Sequence, residues 1–219
     1  MCIMIHNISH NNPLVGQIIA ELRDVQIQKD RMRFRRNLQL LGQIFAIEIG
    51  KKMPATEKEV TTPLGVANCL VLEEQPVLAT ILRAGLPLHQ GLLNVFDQAD
   101  NAFVSAYRKH HKGGKFTIKL EYLSCPDLEN RIVILADPML ATGASMALTL
   151  EQLYEQGAPK ELYVVTVIAC TEGINEVRRQ YPQVVIWTAA IDEELTAKGY
   201  IVPGLGDAGD LAFGEKIQD

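Results

Sequence analysis

The chain has 219 residues, 47% of them hydrophobic, with 26 acidic against 21 basic side chains and a formal charge of −5. This length suits one domain with a sizeable core, and a net negative charge without a large basic block excludes global attraction to nucleic acid or an anionic membrane. The four cysteines, Cys2, Cys69, Cys125 and Cys170, have no CxxC or other metal spacing and read as reduced, mostly buried thiols.

The opening "MCIMIHNISHNNP" has no basic stretch followed by a long apolar one, so no signal peptide is expected. No apolar run approaches the roughly 20 residues of a membrane helix, and the expected location is cytoplasmic. Residues 13–28 carry a helical stripe of Leu14, Ile18, Leu22 and Val25, with Asn12-Pro13 as cap and first-turn residue. A second helix over 31–49 presents Phe34, Leu38, Leu41 and Phe45. Its start, "RMRFRR", reads either as a solvated face or as basic residues near an anionic ligand or a subunit contact.

Strand and helix signals then alternate. "VANCLVLE" (66–73) reads as an edge strand, "VLATILR" (77–83) as a buried strand, and 86–96 as the helix after it. "AFVSAYR" (102–108) is another strand, and the strict alternation of "KFTIKLEY" (115–122) marks a half-exposed one. "RIVILAD" (131–137) is the most apolar strand and precedes a helix at about 143–156. Strands at 161–170 and 183–191 flank a short helix near 173–180. This order predicts an α/β fold, an open, mainly parallel sheet with helices on both faces. One domain is expected over 1–219, with N-terminal helices at 13–50, a β-hairpin at 107–122 and a loop at 199–214.

In open parallel sheets ligands collect outside the carboxyl ends of the strands. There the segment "VILADPMLATGASMALTL" (133–150) places Asp137 and then the turn Thr142-Gly143-Ala144-Ser145 before a helix. Converging backbone N–H groups, two hydroxyls and a helix N-terminus suit a phosphate. Asp137 would repel phosphate in the same cradle, so it is better placed one ring away, accepting from sugar hydroxyls. A phosphorylated sugar satisfies both halves. The pattern is neither GxxxxGK[ST] nor GxGxxG, and alone it is a weak signal.

"DPMLATGAS" resembles the phosphoribosyl-pyrophosphate signature of the uracil phosphoribosyltransferases. "ILRAGL" (81–86), Tyr107-Arg108 and "GYIVPGLGDAGD…FG" (199–214) resemble further segments of that family, in its order and spacing, over roughly residue 13 to the C-terminus. The resemblance implies the type I phosphoribosyltransferase fold and transfer of phosphoribose from phosphoribosyl pyrophosphate to uracil, giving uridine monophosphate (UMP) and pyrophosphate. It implies that Asp137, Pro138, Met139, Leu140, Ala141, Thr142, Gly143, Ala144 and Ser145 hold ribose 5-phosphate, with Arg83 and Arg108 on the pyrophosphate. Asp207 would lie near the sugar-pyrophosphate, and Ile201, Gly206, Asp207 and Ala208 would read uracil mainly through main-chain groups. Arg83, Asp137 and Asp207 carry the catalytic expectation. Mg2+ would be held mainly through the pyrophosphate and ribose, without a dedicated protein metal site, and a homodimer or larger homo-oligomer is expected.

Arg83 ends a buried strand, where a charge is costly unless an anion meets it, and Gly85 would permit unusual dihedrals in a pyrophosphate loop. His110-His111 is a candidate metal pair, but "RKHHKGGK" reads better as a basic flap tip. The chain departs from the family in that flap, which usually carries acidic and threonine residues. Pro87 and Leu88 stand where glycine and methionine are usual, Ala144 where glycine is, Leu211 where a basic residue is, and Glu215 where threonine is. An alternative is therefore a non-catalytic relative that binds phosphoribosyl pyrophosphate or a nucleotide as a regulator. A third reading is transfer to another base.

Overall fold

The computed structural model describes residues 5–110 and 116–216. The elements in chain order are β1 (Ile5–Asn7), α1 (Pro13–Arg23), a 3-10 turn (Ile27–Lys29), α2 (Arg31–Gly50), β2 (Ala55–Thr62), β3 (Gly65–Leu72), β4 (Val77–Leu82), α3 (Leu86–Leu93), β5 (Asp100–His110), β6 (Phe116–Ser124), β7 (Ile132–Ala136), β8 (Met139–Leu140), α4 (Ala144–Tyr154), β9 (Glu161–Cys170), α5 (Thr171–Gln180), β10 (Val185–Asp192), β11 (Glu194–Leu195), β12 (Ile201–Val202) and α6 (Ala208–Phe213).

The main sheet runs β1-β10-β9-β7-β4-β5-β6, with β8 beside β9. All its pairings are parallel except β5 with β6. Strands β4, β7 and β9 are almost wholly buried, because helices cover both faces. On one face α1, α2, α3 and α6 pack through Val15, Leu22, Phe34, Leu41, Phe45, Leu88 and Ala212. On the other, Met146, Leu150 and Leu153 of α4 and Ile174 and Val177 of α5 close a second core.

Local signals explain the helix starts. The Asn12 side chain accepts from the Val15 N–H, with Pro13 as the first helical residue, and Asp30 accepts from the Met32 and Arg33 N–H groups at the start of α2. Such caps satisfy donors that the helix cannot. Pro87 occupies the first turn of α3, where proline is tolerated.

Several expectations are corrected. Helix α1 ends at Arg23 rather than 28, and its stripe is Val15, Ile18, Ile19 and Leu22, while Leu14 and Val25 are exposed. Residues 66–73 do not edge the main sheet. They form most of β3, which pairs antiparallel with β2 in a separate hairpin exposed along most of both strands. Val60, Leu64, Val66 and Leu70 are open to solvent there. Cys69 on this hairpin is exposed too, so burial of the thiols holds for Cys170 and only partly for Cys125. No helix among the described residues is long and apolar enough to cross a membrane.

Candidate functional site

Strands β4 and β7 are neighbours, with Thr80 opposite Ala136. From β4 the chain moves to β5 on one side, and from β7 it moves to β9 on the other. This is the topological switch point of the sheet, where a crevice opens beyond the strand ends. Arg83 to Gly85 leave β4 there, and Asp137 to Ser145 leave β7. Strand β5 passes beyond Ser105, the partner of Leu82, so the backbone of Tyr107-Arg108 continues along the same edge. The side chain of Arg108 and the tip residues 111–115, which include His111, lie outside the described residues.

The loop after β7 is tightly anchored. The Asp137 N–H donates to Val165 O at 3.1 Å, and Pro138 O accepts from both Val167 and Ile168 N–H at 3.0 Å. Met139 and Leu140 form β8 against Ile168 and Ala169 of β9. Ala141 and Thr142 are partly exposed, and the Thr142 hydroxyl accepts from the Ala144 N–H at 3.4 Å. Gly143 caps α4 with φ +82°, a left-handed conformation that favours glycine. A side chain there would also press on Gly173 O and Glu176 of α5 at 3.0 Å. Ala144 and Ser145 begin α4, so alanine at 144 needs no glycine geometry. Helix α4 thus starts at the loop and turns its positive end toward it.

A hollow of about 350 Å³ beside Thr142 and Ala144 is also lined by Glu172, Glu176 and Arg179. Hydrogen bonds from Arg179 and Gln180 hold the Glu176 carboxyl below its ordinary range. Carboxylates make this hollow a poor phosphate seat compared with the loop itself.

Arg83 is not buried. Its side chain is 42% exposed and donates to Asp210 at 3.2 Å and to Gly214 O at 3.1 Å, so the cost of a buried charge does not apply. Gly85 is likewise corrected. Its backbone is ordinary right-handed helical (φ −70°, ψ −20°), and what demands glycine is space. A Cβ there would lie 2.2 Å from the Thr80 hydroxyl and 2.7 Å from the carbonyls of Ala136 and Ile81.

The contacts of Arg83 bring the C-terminal segment to this loop. Asp207 caps α6, accepting from the Asp210 N–H at 3.0 Å, and receives Lys216 at 3.3 Å. Beside it, a Cβ on Gly209 would stand 3.2 Å from Asp207 Oδ1 and 3.9 Å from the Ala84 Cβ. Ile201 lies in β12 and is buried, as is Ala208, whereas Gly206, with φ +98°, is exposed. The structure therefore joins Arg83, Asp207 and Asp210 in one cluster and sets the Asp137–Ser145 loop on the adjacent strand end.

The basic run at the start of α2 divides its duties. Arg33 pairs with Glu21 at 2.9 Å. Arg35 donates to Ala212 O at 2.6 Å and stands 6.0 Å over the Phe213 ring, tying α2 to the C-terminal segment. Arg35 and Arg36 also line a hollow of about 420 Å³ with Pro87 and Phe213. Reading the sequence missed a further pair, Arg23 with Asp192. A carboxylate closing an apolar strand, the signal used for Asp137, also marks Asp192.

The uracil phosphoribosyltransferase family model matches residues 8–215. A uracil phosphoribosyltransferase of Porphyromonas gingivalis is 50% identical over 205 residues, 93% of this chain and 95% of the relative. One from Pyrococcus furiosus is 41% identical over 211 residues, covering 95% and 89%. A solved Aquifex aeolicus protein superposes with a TM-score of 0.86 at 32% identity, over 98% of this chain and all of the other. With this family model spanning nearly the whole chain on a switch-point sheet, the chain belongs to the uracil phosphoribosyltransferase family.

Proposed function

We infer that the chain transfers the phosphoribosyl group of phosphoribosyl pyrophosphate to uracil, in pyrimidine salvage. N1 of uracil bonds to C1 of the ribose as the bond to pyrophosphate breaks, and the N1 proton is lost. The observation that carries this reading is that, in a family member, the Arg83 loop and the Asp137–Ser145 loop leave neighbouring strands at one switch point, with Asp210 of the C-terminal segment bonded to Arg83.

In this reading the N–H groups and hydroxyls of Thr142 to Ser145 grip the 5-phosphate. Asp137 accepts from the ribose hydroxyls and faces the positive charge that develops on the sugar ring. Arg83 and Arg108 take the pyrophosphate, with Asp207 close by. Main-chain groups of Ile201 and Gly206 to Ala208 hold the uracil edge. Catalysis of this kind comes from positioning and charge stabilisation rather than a protein nucleophile.

Among the described residues no three His, Cys, Asp or Glu side chains are grouped to hold a metal. Mg2+ would be held largely by substrate oxygens and water, with Asp137 and Asp207 as the carboxylates of the two loops. When bound, the ion would offset charge on the departing pyrophosphate.

A homodimer or larger assembly is part of the proposal. Its support is the hairpin of β2 and β3, since a two-stranded hairpin is marginal alone and this one exposes Val60, Leu64, Val66 and Leu70. A cytoplasmic location is part of it as well. The test of function is incubation of labelled uracil, phosphoribosyl pyrophosphate and Mg2+, with products resolved by chromatography. UMP and pyrophosphate are expected. Tight binding of phosphoribosyl pyrophosphate without product would favour a regulator of the same fold.

A further inference from the structure

Arg23 is the last residue of α1, and Asp192 is the last of β10. Their side chains meet in a two-pronged ion pair, Nη1 to Oδ2 and Nη2 to Oδ1, both 2.8 Å. The carboxylate is 7% exposed and the guanidinium side chain 23%. Both also bond to one residue. Nη1 of Arg23 donates to Gly204 O at 3.0 Å, and the Gly204 N–H donates to Asp192 Oδ2 at 2.9 Å. Every main-chain polar group of Gly204 is thereby held by this pair.

Gly204 governs the segment around it. It has φ +53°, and a Cβ on it would lie 2.2 Å from Ile201 O. The turn from Ile201 to Gly204 is therefore tight, and displacing Gly204 displaces Ile201. Buried ion pairs seldom add net stability over apolar packing, while losing one partner leaves the other charge uncompensated. A pair whose remaining hydrogen bonds converge on one loop glycine is explained better by placing that loop.

We propose that Arg23 and Asp192 are positioning residues for base recognition, clamping Gly204 so that the main-chain groups of 201–208 hold a fixed pattern of donors and acceptors. The inference rests on the reading of 201–208 as the uracil loop. It ties α1 to the 201–208 loop through Arg23.

The test uses full-length wild type, Asp192→Asn and Arg23→Lys. Lysine keeps the charge but cannot make the fork. KM for uracil, KM for phosphoribosyl pyrophosphate and kcat are measured, along with hydrogen exchange in peptides covering 199–208, β7 and β9. Asp192→Asn is expected to raise the uracil KM about tenfold or more and to leave the phosphoribosyl pyrophosphate KM within about twofold. Exchange in 199–208 should accelerate at least about tenfold, with β7 and β9 unchanged. Arg23→Lys should shift the same quantities in the same direction by less, and it carries the comparison if Asp192→Asn does not fold. Equal changes in both KM values with faster exchange throughout the sheet would make the pair merely structural and overturn the proposal. Wild-type exchange in 199–208 would also overturn it. If wild type makes no UMP, the catalytic reading fails, and exchange in 199–208 still decides the clamp.

Discussion

Gly85→Ala tests how the Arg83 loop is seated. The new Cβ would start 2.2 Å from the Thr80 hydroxyl and 2.7 Å from two carbonyls, where ordinary contact begins near 3.5 Å. The loop must retreat by roughly 1 Å. Overpacking of this kind costs about 1–3 kcal/mol. Disturbing the hydrogen bond from Thr80 to Ala136 O, now 3.1 Å, adds about 1 kcal/mol. Melting should fall by roughly 4–16 °C for a chain of this size. Arg83 sits two residues away, and a 1 Å misplacement of a binding group can cost about 100-fold in rate. Calorimetric melting with steady-state kinetics reads both effects. A second variant, Thr80→Ala with Gly85→Ala, removes the nearest contact but not the carbonyls, and should recover only part of each loss. Wild-type melting and wild-type KM for phosphoribosyl pyrophosphate in Gly85→Ala would refute the account of this loop.

Asp137→Asn keeps the shape but removes the charge proposed to face the ribose, so kcat/KM should fall at least about 100-fold; near-normal activity would mean the aspartate is misassigned. Cytosine reverses the donor and acceptor at the uracil edge, and fixed main-chain groups cannot adapt, so it should be rejected by about 10⁴-fold, while 5-fluorouracil, unchanged on that edge, is accepted. Competition assays in which cytosine reacts within about tenfold of uracil would remove the base-reading role of 201–208. Hydrogen bonds from Arg33 and Asn37 hold the Glu21 carboxyl down at about 2, against an ordinary 4.5. A depressed carboxyl contributes stability that is complete above its unfolded value and lost as pH falls through the folded one. The melting difference between wild type and Glu21→Gln should therefore be constant above pH 5 and shrink toward pH 2; a difference independent of pH would refute it.

The central strands were legible because burial on both faces leaves nearly continuous apolar runs, as in "IVILA" and "VVTVIA". Caps were legible for the same local reason, Asn12 and Pro13 needing only their own helix. The hairpin was not. Strand β2, "ATEKEVTT", is nearly all exposed and lacks an apolar face to show alternation, so β3 was assigned to the wrong sheet. Leu14 and Val25 fit a helical stripe with Ile18 and Leu22, yet α1 ends before Val25 and the core takes Val15, Ile18, Ile19 and Leu22. For the site, only the Asp137–Ser145 turn stood out by itself, as a carboxylate and small residues at a strand end, while the roles of the Arg83 and 201–208 segments rested on the family resemblance. The reason for Gly85 was not, because it depends on Thr80 and Ala136 from two strands. Arg23 and Asp192 are separated by 169 positions, a distance over which periodicity carries no information.

The most direct test of the account is a crystal structure of the chain with UMP bound. The phosphate should lie on the N–H groups and hydroxyls of Thr142 to Ser145, the ribose hydroxyls on Asp137, and the uracil edge on main-chain groups between Ile201 and Ala208. A phosphate seated instead beside Glu172 and Glu176, or against Arg35 and Arg36, with the 201–208 segment untouched, would contradict it.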